Sequence, residues 1–435
     1  MMVRVTEPAP TRHVVPLRQA TWTWFLVSLQ TFGGPAGQIA VMQRTLVDEK
    51  RWLGERRFLH ALSYCMLLPG PEAQQLAVYT GWLLNGWAGG LIAGVLFILP
   101  GVLALLALSW AYVAHGDTAF VEALFLGLAP AVLAIVVQAV FRVGGRVLRH
   151  RALWMIALGA FVALALFHVP FPLVILAAAL VGWLLGRWRP GVMAPPQRSD
   201  EDDGPAPLVP DDTLHHASPS IGRNAAILVG GVVLWLAPVA VAFALTGPDS
   251  IFVQQGVFFA GTALVTFGGA YAVLAYVAQK AVESFHWLTA GEMVRGLALA
   301  ESTPGPLIMV LQFVAFLGAW RDPGSLDPLT AAVIASLLVT WVTFVPSFLF
   351  IFLGAPYVER LRENRTLAAA LTGVTAAVVG VIANLAVFFA AHTLVEWRSA
   401  VILPVALALV FWRGWSMLRV LGTCALLGLV VGLTL

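Results

Sequence analysis

Charge is scarce in this chain. Asp, Glu, Lys and Arg make up 11% of its 435 residues, where a soluble domain carries about 25%. Apolar and aromatic residues make up 60%, and the mean hydropathy is +0.88. A soluble fold of this size has no interior large enough for that much apolar surface, so a polytopic membrane protein is implied. Also missing is the apolar–polar alternation over about ten residues that β-barrel strands require. Uncharged windows of about 20 residues occur instead, long enough to cross roughly 30 Å of hydrocarbon as helix.

Lysine is nearly absent: Lys50 and Lys280 are the two present, and the other 23 of 25 basic residues are arginine. Arginine clamps an oxyanion with two parallel N–H bonds, which lysine cannot, although membrane flanking accounts for arginines equally well. Cys65 and Cys424 stand far apart in apolar stretches, which excludes a disulfide framework or a cysteine metal cluster. No P-loop is present, so ATP cannot drive this chain by itself, and no metal motif or nucleophile elbow occurs. No enzymatic activity, cofactor, metal or nucleic-acid partner is therefore expected. The first 20 residues hold Arg4, Arg12 and Arg18 without a compact apolar core and cleavage site, and read as a cytosolic tail.

What is present is apolar helix. Spans are read at 18–46, 71–87, 88–114, 120–142, 151–168 and 171–188, then at 223–246, 252–280, 305–320, 329–354, 366–390, 398–413 and 415–435. Between the two sets lies the one hydrophilic stretch, 189–222, with Asp200, Glu201, Asp202, Asp203 and the pair His215–His216. Such a run cannot offset its ordering entropy by apolar burial and reads as a cytoplasmic linker. The expected organisation is a tail (1–17), a first unit (18–188), the linker (189–222), a connecting helix (223–246) and a second unit (252–435).

Arginine-rich short loops mark the cytoplasmic side. Arg142, Arg146, Arg149 and Arg151 place one loop inside, as do Arg187, Arg189 and Arg198 for the linker, Arg360, Arg362 and Arg365, and the pair Arg413 and Arg419. Loops 115–119 and 247–251 lack Lys and Arg and belong outside. Counting gives 13 spans with the N-terminus inside. One loop breaks the rule: 44–57 carries Arg44, Lys50, Arg51, Arg56 and Arg57, yet falls outside. Either 18–46 is a re-entrant element returning to the cytoplasm, with 9 spans plus re-entrant elements as the alternative count, or that loop is an external basic collar for anions. Both counts stay open at this point.

Self-comparison shows why there is a counterpart. Residues 31–71 align with 266–306 at a constant offset of 235: Thr31-Phe32-Gly33-Gly34 on Thr266-Phe267-Gly268-Gly269, Trp52-Leu53 on Trp287-Leu288, and Pro69-Gly70-Pro71 on Pro304-Gly305-Pro306. Further on the offset becomes 246, aligning Pro100 with Pro346, Gly127 with Gly373, and Gln138 with Asn384. The fold class is thus an all-α polytopic membrane protein with two homologous repeats. The unpaired helix 223–246 turns the second upside down relative to the first. Inverted repeats place substrate and coupling-ion sites near the midplane, which points to a carrier.

Two motifs interrupt the helices. Phe32-Gly33-Gly34-Pro35, followed by Gly37 and Gln38, and its copy at Phe267-Gly268-Gly269 put a helix break at membrane depth, where it is tolerated only if buried or lining a cavity. Pro69-Gly70-Pro71 and Pro304-Gly305-Pro306 cannot continue a helix, but Pro71 and Pro306 suit the first position of a new one. Freed N–H groups at such helix starts suit an oxyanion. The first motif runs on as Glu72-Ala73-Gln74-Gln75; the second follows Glu301-Ser302-Thr303. Acidic groups in a span are functional candidates, and Glu301 and Glu72 are the candidates for proton coupling. Arg44 and Lys280 could draw anions toward the breaks or simply snorkel.

These residues resemble the chromate ion transporter family: Phe32-Gly33-Gly34-Pro35, Trp52-Leu53 and Leu68-Pro69-Gly70-Pro71-Glu72, then Gly81 and Gly86, with the second copy at Phe267-Gly268-Gly269, Trp287-Leu288 and Thr303-Pro304-Gly305-Pro306. The chain looks like a two-domain, long-chain member. The resemblance implies secondary active movement of chromate across the bacterial inner membrane, as efflux in resistance, with sulfate as competitor. Another anion, or an anion channel, is the alternative. The implied partners are the lipid bilayer and a small inorganic oxyanion; a homodimer is allowed. The second copy departs from the first at Ala270, where Pro35 would fall, and at Leu307, where Glu72 would fall.

Overall fold

The computed structural model describes residues 14–32, 34–188, 208–209, 221–267, 270–355 and 365–434. Sixteen α-helices account for nearly all of them. The first half comprises α1 (Leu17–Ser28), α2 (Gly34–Gln43), α3 (Glu55–Cys65), α4 (Glu72–His115), α5 (Ala119–Val147), α6 (Arg151–Ala165) and α7 (Phe171–Trp188). Helix α8 (Ile221–Thr246) connects it to α9 (Ile251–Val265), α10 (Ala270–Gln279), α11 (Ala290–Ser302), α12 (Val310–Arg321), α13 (Pro328–Gly354), α14 (Arg365–Thr393), α15 (Trp397–Phe411) and α16 (Met417–Thr434). Short π-helical turns follow α2 and α10, and a 3-10 turn, Leu307–Met309, leads into α12. Among the described residues seven helices are long and apolar enough to cross a membrane, and α6, α9, the segment Leu307–Arg321 and α15 are shorter apolar helices. This is an all-helical, multi-pass membrane protein.

Helix α4 is two helices in one run. Its backbone leaves helical geometry at Asn85 and Gly86, where Gly86 has φ +61°. A methyl added at Gly81 would lie 2.6 Å from Cβ of Ala93, and one at Gly90 3.1 Å from the Val78 carbonyl. Residues eight to twelve apart on a straight helix lie roughly 12–18 Å apart along its axis, so the arms 72–84 and 87–115 fold back on each other. The sequence reading of separate spans at 71–87 and 88–114 matches this turn.

Elsewhere the structure corrects the expected spans. The stretch 18–46 is not one helix but α1, a break and α2; 252–280 is likewise divided into α9 and α10. Helices α3 and α11 fall where no span was read. Pro71 and Pro306 stand one residue before their helices, as extended N-cap residues, and not at the first helical position. Linker residues Asp200 to Asp203 and His215–His216, and Arg189, Arg198, Arg360 and Arg362, lie outside the described residues.

Helix bounds repeat across the halves. Adding 246 carries α5, α6 and α7 onto α14, α15 and α16 residue for residue at both ends. The packing is exchanged: α5 lies against α15 and α16, while α14 lies against α6 and α7. Small residues allow it. A methyl at Gly127 would strike the backbone of Cys424 and Gly428, and one at Gly373 would come within 2.8 Å of the Gly182 Cα. The halves therefore interlock and do not merely abut. The Gln138 oxygen accepts from Arg142 at 3.0 Å, and among the described residues no hydrogen bond joins Gln138 to its aligned partner Asn384.

Candidate functional site

The helix breaks of opposite halves meet. Gly305 N–H donates to the Thr31 carbonyl at 2.9 Å, and Gly70 N–H donates to the Thr266 carbonyl at 2.8 Å. The two bonds exchange under the offset of 235, so each half's Pro-Gly-Pro tip is tied to the other half's Thr-Phe break. The tips need glycine: Gly70 and Gly305 sit at φ +123° and +114°, backbone that side-chain-bearing residues rarely adopt. Side chains brace the knot. Gln75 Nε2 donates to the Pro69 carbonyl at 2.7 Å, and Gln38 Nε2 donates to the Gly305 carbonyl.

A small cavity lies where the tips converge, lined by Pro35, Gln38, Pro71, Glu72, Ala73, Ala270, Pro306, Leu307 and Ile308. Apart from Gln38 these fall at four helix starts, two per half, and pair under the offset of 235: Pro35 with Ala270, Pro71 with Pro306, Glu72 with Leu307, Ala73 with Ile308. Each helix start carries roughly half a positive charge and unpaired N–H donors. The free space is about 20 Å³, against roughly 10–15 Å³ for one water. A polyatomic anion would require the tips to part.

Several polar groups around the tips lack partners. Gln74 is fully buried with both amide atoms unbonded, and Gln38 Oε1, Gln75 Oε1 and Ser347 Oγ are likewise buried and unbonded. Buried polar atoms are normally satisfied, so this cluster marks a place for water or a ligand. Ser347 lies beside the first tip: a methyl on Gly70 would fall 3.1 Å from its hydroxyl. Thr343, one turn earlier on α13, is also buried and unbonded. Sequence reasoning missed both, although two hydroxyls four residues apart on an apolar helix were a usable signal.

Glu301 lies apart from the cavity lining. It is buried near the end of α11, where Tyr271 OH donates to Oε1 at 2.6 Å and Oε2 has no partner. Glu72, by contrast, lines the cavity. Ser302 and Thr303 donate to the Leu299 and Ala300 carbonyls of their own helix, and Pro304 backs onto Gly101. Arg44 is exposed and engages Glu49 and Gln30, and Lys280 is joined to Ser284; neither lines the cavity. Gly37 is needed for room, since a methyl there would lie 2.5 Å from the Phe32 carbonyl oxygen. Phe32, Gly34 and Phe267 flank the breaks, whereas Gly33, Gly268 and Gly269 lie outside the described residues. Among the described residues no three His, Cys, Asp or Glu side chains cluster as a metal site.

Paired helix breaks knotted together in a duplicated helical membrane protein suit a transporter. Comparison with known proteins makes this specific. The chromate transporter family model matches residues 18–183 and 253–429, and the chain belongs to that family as a long-chain, two-domain member. It is 35% identical over 384 residues to a chromate transport protein of Pseudomonas aeruginosa, covering 87% of this chain and 81% of that protein. To a chromate transport protein of Cupriavidus metallidurans it is 29% identical over 430 residues, covering 98% and 96%. A probable chromate transport protein of Synechococcus elongatus is 28% identical over 400 residues, covering 91% of each chain. No solved structure matches.

Proposed function

We propose that this protein is a secondary active transporter of chromate, with sulfate as competitor, and that the cavity between the tips is its substrate site. The observation that carries the reading is the reciprocal pair of tip bonds, Gly305 to Thr31 and Gly70 to Thr266, which gathers four helix starts around one cavity. Backbone donors with little full charge suit a tetrahedral dianion that must be bound and then released. Relatives named for chromate transport support the choice of substrate. Efflux across a bacterial inner membrane is the direction proposed.

The topology proposed is nine spans, the N-terminus inside, and four segments that turn back within the membrane: α1–α2, α3 with arm 72–84, α9–α10, and α11–α12. Two contacts favour this over thirteen spans. Linker residues Leu208 and Val209 donate backbone N–H bonds at 3.1 Å to the carbonyls of Arg51 and Trp52, so the basic loop 44–57 shares a side with the linker. Val14 N–H also donates to the Leu84 carbonyl at 2.9 Å, which sets the start of α1 beside the turn of α4. All the arginine-rich loops then fall inside. The repeats remain inverted, and rocking of one against the other would part the tips.

Proton handling is assigned to the two membrane carboxyls, Glu72 at the cavity and Glu301 behind it. The test is labelled-chromate flux in proteoliposomes of the purified chain, with imposed pH and voltage gradients. Accumulation against a chromate gradient, suppressed by excess sulfate, is expected. Flux that only dissipates a gradient would identify a channel, and flux of an organic acid in preference to chromate would identify another carrier.

A further inference from the structure

We propose that Glu72 is a tethered competitor for the cavity: its ionised carboxylate and the oxyanion exclude one another, so each oxyanion enters together with one proton. This rests on the cavity being the anion site and adds what governs its occupancy.

Glu72 opens the arm 72–84, a position where a carboxylate commonly caps its own helix. Here it does not. Its carboxyl makes no hydrogen bond or ion pair among the described residues, and it lines the cavity. The repeat-equivalent Leu307 lines the cavity too and is apolar, so the cavity carries a single carboxyl. The second polar side chain there is Gln38, 1% exposed. Its Nε2 is committed to the Gly305 carbonyl, which leaves Oε1 without a partner. Both leftover side-chain groups are therefore oxygens, and an ionised Glu72 would offer only acceptors and a negative charge where the oxyanion must sit. Protonated, the same carboxyl becomes a donor among donors. A carboxylate and a dianion held at the same four helix starts would repel one another directly.

Among the described residues no cation pairs with Glu72; the cation of α1, Arg18, stands near the start of that helix, beside the turn of α4. Helix α3 carries Glu55, Arg56, Arg57 and His60 in its first two turns and Tyr64 and Cys65 at the end that leads into the tip. Helix α2 and α13 hold no titratable residue; α10 holds Tyr271, engaged by Glu301, and Tyr276; the 307–321 segment holds only Arg321, at its far end. Proton binding at Glu72 is thus the chain's own means of clearing charge from the cavity. By linkage, oxyanion affinity falls about tenfold per pH unit wherever Glu72 is ionised in the empty protein.

The experiment titrates the purified full chain in weak buffer with sulfate, which stays a dianion across the range, and with chromate, while a pH dye follows proton uptake. The wild-type chain should take up about one proton per sulfate bound and lose affinity about tenfold per pH unit on the alkaline side. Glu72→Gln should bind without proton uptake and with a flat pH profile. Proton-free binding by the wild type overturns the exclusion while leaving the anion site standing; so does undiminished proton uptake by the variant. A Glu72→Gln chain that binds neither anion at any pH also overturns it, because the carboxamide matches the protonated acid in shape and charge. A wild-type chain that binds neither chromate nor sulfate removes the anion site itself, and the exclusion with it.

Discussion

Gly70 and Gly305 hold equivalent places, yet an added methyl meets different neighbours. At Gly305 the nearest atom would be the Gly101 Cα at 3.4 Å, an ordinary contact; at Gly70 it would be Gln75 Nε2 at 2.8 Å, with Ser347 Oγ at 3.1 Å. Both substitutions carry the backbone penalty of a positive φ, about 1–3 kcal/mol. Only Gly70→Ala must in addition push Gln75 off the Pro69 carbonyl. Gly70→Ala is therefore expected to lower the melting temperature in detergent more than Gly305→Ala; equal losses would contradict this account of the tip. A second outcome belongs to Glu301. Its lone hydrogen bond comes from Tyr271, and its other oxygen is unpaired. Glu301→Gln is expected to weaken the pH dependence of chromate accumulation in proteoliposomes, leaving the part set by Glu72, and an unchanged pH profile would remove Glu301 from proton handling. The acid itself was legible as a charge in an apolar run. Its partner was not, because Tyr271 and Glu301 stand thirty positions apart and meet only through tertiary structure, with α10 and α11 both packed against α14.

At the scale of the helices, the glycines of the exchanged packing act as spacers and not as hinges. Gly428 lies against Gly127 and Ala123, whereas Gly422 on the same helix faces open space. Gly428→Leu is expected to destabilise the fold by about 1–3 kcal/mol or more, seen as loss of monodisperse protein on size-exclusion chromatography. Gly422→Leu is expected to leave the elution profile unchanged. The repeat was legible because rare clusters, Thr-Phe-Gly-Gly and Pro-Gly-Pro, recur in one register. Helices α3 and α11 were not, for an apolar-run criterion passes over short amphipathic helices. A local signal did exist for α11: Thr289 and Glu292 form a reciprocal capping box, and Thr-x-x-Glu is readable in sequence. The crossed contacts between halves were beyond reach, since spacing within one half says nothing about which half the other tip will touch. The same limit explains Ser347, which reaches the first tip from the opposite repeat.

Across the whole molecule, the duplication turns topology into a paired measurement. Asp48 and Glu283 are equivalent under the offset of 235 and both are exposed. Each sits in the π-helical turn that follows its half's second helix. Nine spans with turned-back segments put Asp48 inside and Glu283 outside; thirteen full spans put them the other way round. Asp117 and Asp249, in loops free of Lys and Arg, lie outside under both counts and serve as positive controls. Background is low because Cys65 and Cys424 are both buried. Single-cysteine variants at these four positions, treated with a membrane-impermeant maleimide, therefore separate the two. In intact cells Glu283→Cys should label as readily as the controls while Asp48→Cys stays unlabelled, and inverted vesicles should reverse the pattern. Labelling of Asp48→Cys from outside would restore thirteen spans and leave the tie between Leu53 and Val209 without a topological meaning. Labelling of Asp48→Cys and Glu283→Cys from the same face would remove the inversion altogether. Rocking of opposed halves would then no longer explain how one cavity of four helix starts opens first to one side of the membrane and then to the other.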